Sequence, residues 1–173
     1  MNEDSVHIRP ITRGDTALII KFRNNPTVRM NFIHQEPLTE EEHLNWMESQ
    51  VGTGRVAQFI IVDPVGRDIG SVYLRDINPV HRKAEFGIYI GADEARGKGY
   101  GYQATRLILR YAFETIGLNK VFLRVLSGNE SAIKSYMKAG FRQEGLFRED
   151  VILHGEPIDV IFMAILSSEW RAL

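Results

Sequence analysis

The stretch "EARGKGYGYQAT", residues 94–105, sets Gly97, Gly99 and Gly101 at alternate positions among Arg96, Lys98 and Tyr100. Glycine at every second position suits neither a strand nor a helix interior, because it loses the most backbone entropy and packs nothing. Before it, "AEFGIYIG" at 84–91 reads as a strand. After it, Ala104, Leu107, Ile108, Tyr111 and Ala112 keep the i, i+3, i+4, i+7 spacing of an amphipathic helix. A strand that ends in glycines and enters a helix makes an anion site. The first-turn N–H groups have no partners within the helix, and its dipole favours negative charge there. Glycine lets a phosphate oxygen reach the main chain without meeting a Cβ, and Arg96 and Lys98 add positive charge beside it.

Outward from this stretch the chain alternates strands and helices. "VHIRPI" alternates like a short strand, and Asp15 is placed to cap a helix carrying Ala17, Leu18, Ile19 and Phe22, which "NNP" at 24–26 would end. Thr39 and Glu42 form a capping box that opens a helix with Leu44 and Met47 inward. The acidic run "TEEEH" is read as that helix N-terminus rather than as a polyamine site. "AQFIIVD" and "IGSVYLRDI" are strands joined by the turn "PVGRD". Downstream, "KVFLRVL" is a strand, "NESAIKSYMKAGF" a helix closed by Gly140, and the tail two strands joined at "HGEP". The order implies a single α/β domain over residues 1–173, of mixed α+β type: a mixed sheet with helices on its faces.

Composition narrows the function classes. The apolar fraction of 44% and charged fraction of 25% are those of an ordinary globular chain. A formal charge of −1 supplies no global basic field for nucleic acid or an anionic membrane, so any bound anion must be held by a local device. The absence of cysteine excludes disulfides, thiolate metal sites and a cysteine nucleophile. The acidic start "MNEDSVHIRP" has no signal-peptide core and no apolar run reaches a membrane span, so a cytoplasmic protein is expected. The five histidines, at 7, 34, 43, 81 and 154, show no metal-binding spacing, and no metal is expected.

Which phosphate-bearing molecule would the loop hold? The Walker pattern G-x-x-x-x-G-K-[ST] is absent. Gly99, Gly101 and Ala104 satisfy G-x-G-x-x-A, but the following strand ends "VLSGN", without the carboxylate a dinucleotide ribose requires. A third pattern fits. "RGKGYG", Arg96 to Gly101, matches R/Q-x-x-G-x-G/A, the pyrophosphate loop of the GNAT acyl-CoA N-acyltransferase superfamily. About thirty residues on, "LRVLSGNESAIKSYMKAGF" resembles the second signature of that superfamily, with Asn129, Ala132, Tyr136, Gly140 and Phe141 in place. The resemblance runs from "IRPIT" to "DVIFMAIL" and is closest to the branch of ribosomal-protein N-terminal and small-amine acetyltransferases. "DINPVHRKAEFGIYI" also resembles nucleotide-aminosugar N-acetyltransferases.

The resemblance implies a mostly antiparallel twisted sheet whose fourth and fifth strands are parallel and splay apart. It implies acetyl-CoA as co-substrate, with pantetheine along Ile88, Tyr89 and Ile90, and its pyrophosphate on Arg96, Gly97, Lys98, Gly99, Tyr100 and Gly101. Asn129 would hold the pantetheine arm, or serve only as a helix cap. Tyr136 would be the general acid that protonates the leaving thiolate. Glu85 would remove the amine's proton through water and help bind the acceptor, and His34 would line the acceptor pocket. The expected reaction is direct acetyl transfer to a primary amine of a small molecule or a protein N-terminus, in a ternary complex. Two alternatives stand beside it: a nucleotide-aminosugar acceptor, or a non-catalytic acyl-CoA-binding module. The expected assembly is a monomer or a homodimer.

Overall fold

In the computed structural model, which describes residues 5–172, seven strands form one sheet in the order β1-β2-β3-β4-β5-β7-β6. The strands are β1 (His7–Pro10), β2 (Ala57–Val62), β3 (Asp68–Asn78), β4 (Lys83–Ile90), β5 (Lys120–Leu126), β6 (Arg142–Leu153) and β7 (Glu156–Leu166). All neighbours are antiparallel except β4 and β5. The helices are α1 (Thr16–Arg23), α2 (Pro26–Arg29), α3 (Glu40–Trp46), α4 (Tyr100–Arg110), α5 (Glu130–Ala139) and α6 (Ser167–Trp170).

The alternation of β2 divides the molecule into two layers of core. Ile60 and Val62 pack with Ile11, Ile19 and Met47 beneath α1 and α3. Ile61 faces the other way, into the larger core with Ile108 and Leu109 of α4. Helices therefore cover both faces, as a mixed sheet with two apolar faces requires. Local signals end these helices where expected. Thr39 Oγ1 accepts from the Glu42 N–H at 3.2 Å and Glu42 Oε2 accepts from the Thr39 N–H at 2.9 Å. Gly140 closes α5 in the left-handed conformation at φ 105°.

Three expectations are corrected. Asp15 does not cap α1: its carboxylate is taken by Arg9 and Thr12, and no side-chain cap bond forms. "NNP" ends α1 but also starts α2, because Asn25 Oδ1 accepts from the Thr27 N–H at 2.9 Å and proline is tolerated in a first helical turn. In α3 it is His43, not Leu44, that is buried; Leu44 is half-buried.

Candidate active site

Strands β4 and β5 are in register over only three residue pairs, Lys83 with Lys120, Ala84 with Val121 and Glu85 with Phe122. Beyond them β4 runs on to Ile90 beside β3, while β5 runs on to Leu126 beside β7. The two strands splay, and residues of both line one cavity of about 670 Å³. The gap leaves main-chain groups of Phe86–Ile90 without a strand partner on that side, a slot shaped for an extended molecule carrying amides.

The glycine loop closes one end. Gly97 and Gly99 sit in the left-handed region at φ 74° and 78°, which a side chain would strain, and Gly99 is the residue before α4. Gly101 lies in the first turn without a positive φ; a Cβ there would meet only Ile90, at 4.0 Å. Its need for glycine is open space above the helix N-terminus. The first carbonyl bond entering α4 comes from the Gln103 N–H, to Gly99 O at 3.1 Å, so the preceding amides point free. Arg96 braces the loop: its Nε donates to Ile90 O at 3.1 Å and its Nη1 pairs with Asp93 at 2.7 Å. Its Nη2 is buried and unpartnered. Lys98 is exposed and does not line the cavity, whereas Tyr100 does.

Asn129, the cap of α5, and Tyr136, within it, stand across the gap. Asn129 Oδ1 accepts from the Ala132 N–H at 3.3 Å as helix cap, which leaves its side-chain N–H₂ for another acceptor. Both readings of Asn129 are thus open to one side chain using different atoms. Tyr136 packs edge-on to Phe86, ring centroids 5.7 Å apart, and lines the cavity. Burial pushes its phenol far above the usual tyrosine range, with a smaller contribution from nearby Tyr73. The hydroxyl therefore stays protonated throughout the neutral range.

The opposite wall is built by one face of the sheet. Cross-strand register pairs Tyr73 with Gly87 and Arg75 with Glu85, and period-two alternation puts Tyr89 on the same face. Gly87 is glycine because the Tyr73 ring lies across it; a Cβ would overlap that ring. Glu85 is not a solvated residue at a strand start. It is 6% exposed and gripped by two arginines. Arg75 donates to both its oxygens at 2.8 and 3.1 Å, and Arg124 does so from β5 at 3.1 and 3.4 Å. Burial by itself would raise the Glu85 carboxyl, but the hydrogen bonds from Arg75 and Arg124 outweigh it and hold it below the usual carboxylate range. Such a group is a weak base.

The roof comes from α1, α2 and the loop after them. Arg23 lays its guanidinium 3.6 Å from the Phe32 ring centroid, and Phe32 meets Tyr89 edge-on at 5.8 Å. His34 lines the cavity, and its carbonyl accepts from Arg23 Nη2 at 2.6 Å. The tip of the β6–β7 hairpin reaches this loop, with His154 Nε2 2.9 Å from Gln35 Oε1. Beneath the roof lie His43 and Gln58, whose Nε2 and Oε1 are buried without partners. Desolvation lowers His43, so it is neutral.

Sequence reasoning missed Arg23, His43, Gln58, Tyr73, Arg75 and Arg124. Only Arg75 carried a usable signal: it lies on the strand before Glu85 at a separation that an antiparallel turn can close. Among the described residues no group of His, Asp or Glu is arranged to hold a metal ion, and no helix is long and apolar enough to cross a membrane.

With this geometry in place, comparison with known proteins is direct. The acetyltransferase (GNAT) domain family matches residues 5–142. The chain is 33% identical over 168 residues to spermidine N(1)-acetyltransferase of Escherichia coli K12, covering 97% of this chain and 89% of that protein. It is 36% identical over 102 residues to a provisionally assigned ribosomal N-acetyltransferase of Bacillus subtilis, covering 59% and 55%. The crystal structure of Vibrio cholerae spermidine N-acetyltransferase with CoA and spermine superposes with a TM-score of 0.90 at 31% identity, covering 96% of this chain and 98% of that one. Another structure of that enzyme is dodecameric and superposes at 0.83, with 32% identity and 96% of each chain covered. The chain belongs to the GNAT acetyltransferase family and is an acetyl-CoA-dependent N-acetyltransferase.

Proposed function

We propose that the acceptor is the primary amine of a small molecule, which attacks the thioester of acetyl-CoA directly in the cavity between β4 and β5. The observation that carries this reading is the splay. One continuous cavity runs from the free amides of the glycine loop, past Tyr136, to the Glu85 face of the sheet, so both substrates meet without a covalent enzyme intermediate. The pyrophosphate lies on the amides of Gly97 to Gly101, with the free Nη2 of Arg96 beside them, and pantetheine follows the Ile88–Ile90 edge. Lys98 contributes its main chain and a long-range charge.

The bond that forms is N–C and the bond that breaks is C–S. The thiolate takes its proton from the Tyr136 hydroxyl, which burial keeps protonated, the amine's surplus proton leaves to water, and a proton from water restores the phenol before the next turnover. Glu85 has a different part from the one its position suggests. Held by two arginines, it anchors a cluster of net positive charge, which disfavours the ammonium form of a nearby acceptor and so supplies the neutral nucleophile. Glu85 is on this account a positioning residue for Arg75 and Arg124 at the acceptor end. The relatives named for spermidine support a small-molecule amine over a protein N-terminus, as does the roof of α1, α2 and hairpin tip over the acceptor side.

The test is thiol release from acetyl-CoA with a panel of amines, for the protein and for Tyr136→Phe. Loss of the acid lowers kcat about 10²-fold, with KM for acetyl-CoA little changed. Because Tyr136 ionises far above neutrality, no alkaline loss of activity attributable to it appears below pH 10. Full turnover by Tyr136→Phe would remove the acid assignment. Thiol release from none of the amines would instead favour a binding module.

A further inference from the structure

The acceptor end of the cavity is cationic. Arg23, Arg75 and Arg124 line it against one carboxylate, Glu85, which already accepts hydrogen bonds from two of them. Arg23 is the exceptional member. Among the described residues it touches no carboxylate: Nη2 donates to a carbonyl, the guanidinium plane rests on Phe32, and Nη1 is buried without a partner. Tyr73 lies within electrostatic reach of Arg23, Arg75 and Glu85. The other charges near these groups do not offset them. Arg29 adds a further positive charge beside Arg23, and Asp76, near Arg75, is exposed and outside the cavity lining. Desolvation already works against the charged form of Arg23.

Arg23 is half-buried, yet its Nη1 is buried without a partner, and a desolvated cationic N–H left unpaired is costly, so such groups are ordinarily paired. The pyrophosphate of CoA has its own device at the glycine loop and Arg96. Arg23 lies apart from it, on the Phe32–Tyr89 side of the sheet. We infer that the acceptor amine carries an oxyanion, a phosphate or carboxylate, which pairs with Arg23 while the amine approaches the thioester near Tyr136. This rests on the acetyl-transfer reading above and specifies its substrate class. It also sets this chain apart from relatives named for spermidine, because a polycation would face three arginines and only a carboxylate that is already engaged.

The experiment measures kcat/KM from thiol release with matched amines: ethanolamine against phosphoethanolamine, glucosamine against glucosamine 6-phosphate, propylamine against β-alanine, and spermidine. The anionic member of a pair is favoured by about tenfold or more, as a desolvated charge pair predicts; the phosphate and carboxylate pairs tell which oxyanion is meant. Arg23→Gln collapses that preference and Arg23→Lys restores part of it, while KM for acetyl-CoA is unmoved, a pattern that a folding defect does not produce. Preference for spermidine or for the neutral members overturns the inference and leaves acetyl transfer standing. If no amine turns over, acetyl transfer to a small amine fails, and calorimetry on the protein–CoA complex decides the oxyanion question. Equal or absent binding of phosphoethanolamine and β-alanine relative to their neutral partners then overturns it.

Discussion

Asp15 accepts four hydrogen bonds: two from Arg9 at 2.7 and 3.0 Å, and two from the Thr12 N–H and hydroxyl at 2.8 and 2.9 Å. The Arg9 bonds dominate, outweigh its burial, and with Thr12 hold the carboxyl at about 2. A carboxyl depressed in the folded state stabilises above its unfolded pKa and loses that contribution as pH falls through the folded value. Asp15→Asn should therefore cost about 2 kcal/mol at pH 7 in denaturant titrations, with the gap to the parent closing between about pH 4 and pH 2. A constant gap down to pH 2 would show that the charge is not what matters. Residues of this kind were the least legible in the sequence. Asp15 stood where a cap should be, since its rival Arg9 is a partner only after β1 turns back into the 3₁₀ turn at Arg13–Asp15. Glu85 likewise reads in sequence as a base, not as the centre of an ion cluster, because Arg75 and Arg124 reach it only through the registers of β3 and β5. Tyr136 and Asn129 carry a local signature, one strand end and one helix, and both line the cavity.

Among the elements, the loop into α4 separates two uses of glycine. Gly99→Ala must place a side chain at φ 78°, at a cost of about 1 kcal/mol, although nothing within 4 Å opposes its Cβ. Gly101→Ala incurs no such strain and gains helix propensity, so its stability should match or exceed the parent. Yet both β-carbons would stand in the place proposed above for the pyrophosphate, so both should raise KM for acetyl-CoA about tenfold or more, as the loss of close approach predicts. Melting curves with acetyl-CoA titrations separate the two effects, and unchanged cofactor affinity in Gly101→Ala would count against the loop's role. Helices α3, α4 and α5 were legible from caps and spacing. α2 was not, because proline signals both the end of one helix and the first turn of another. The irregularities of β6 between Gln143 and Gly145, and between Phe147 and Val151, carry no comparable signature.

At the level of the molecule, the sheet is two blocks, β1–β4 and β5–β7–β6, joined in the strand ladder by three residue pairs. Pattern alone indicated a mixed sheet; the place of the splay came from the likeness of two motifs to a known family, since periodicity carries no strand order. CoA bound in the gap, as proposed, would span both blocks. At a hundredfold excess over its Kd it should add about 2.7 kcal/mol to stability. Hydrogen exchange should slow at Phe86–Ile90, which it would pair, more than at β1 or β6; uniform slowing would mean that CoA does not act as the bridging strand. The same gap has a consequence for making the protein. A chain that folds before it meets CoA carries unpaired strand edges inside an open cleft, and such edges invite pairing with a second chain. Yield and solubility on expression should thus track the supply of CoA, which serves the newly made protein as a missing strand before it serves it as a substrate.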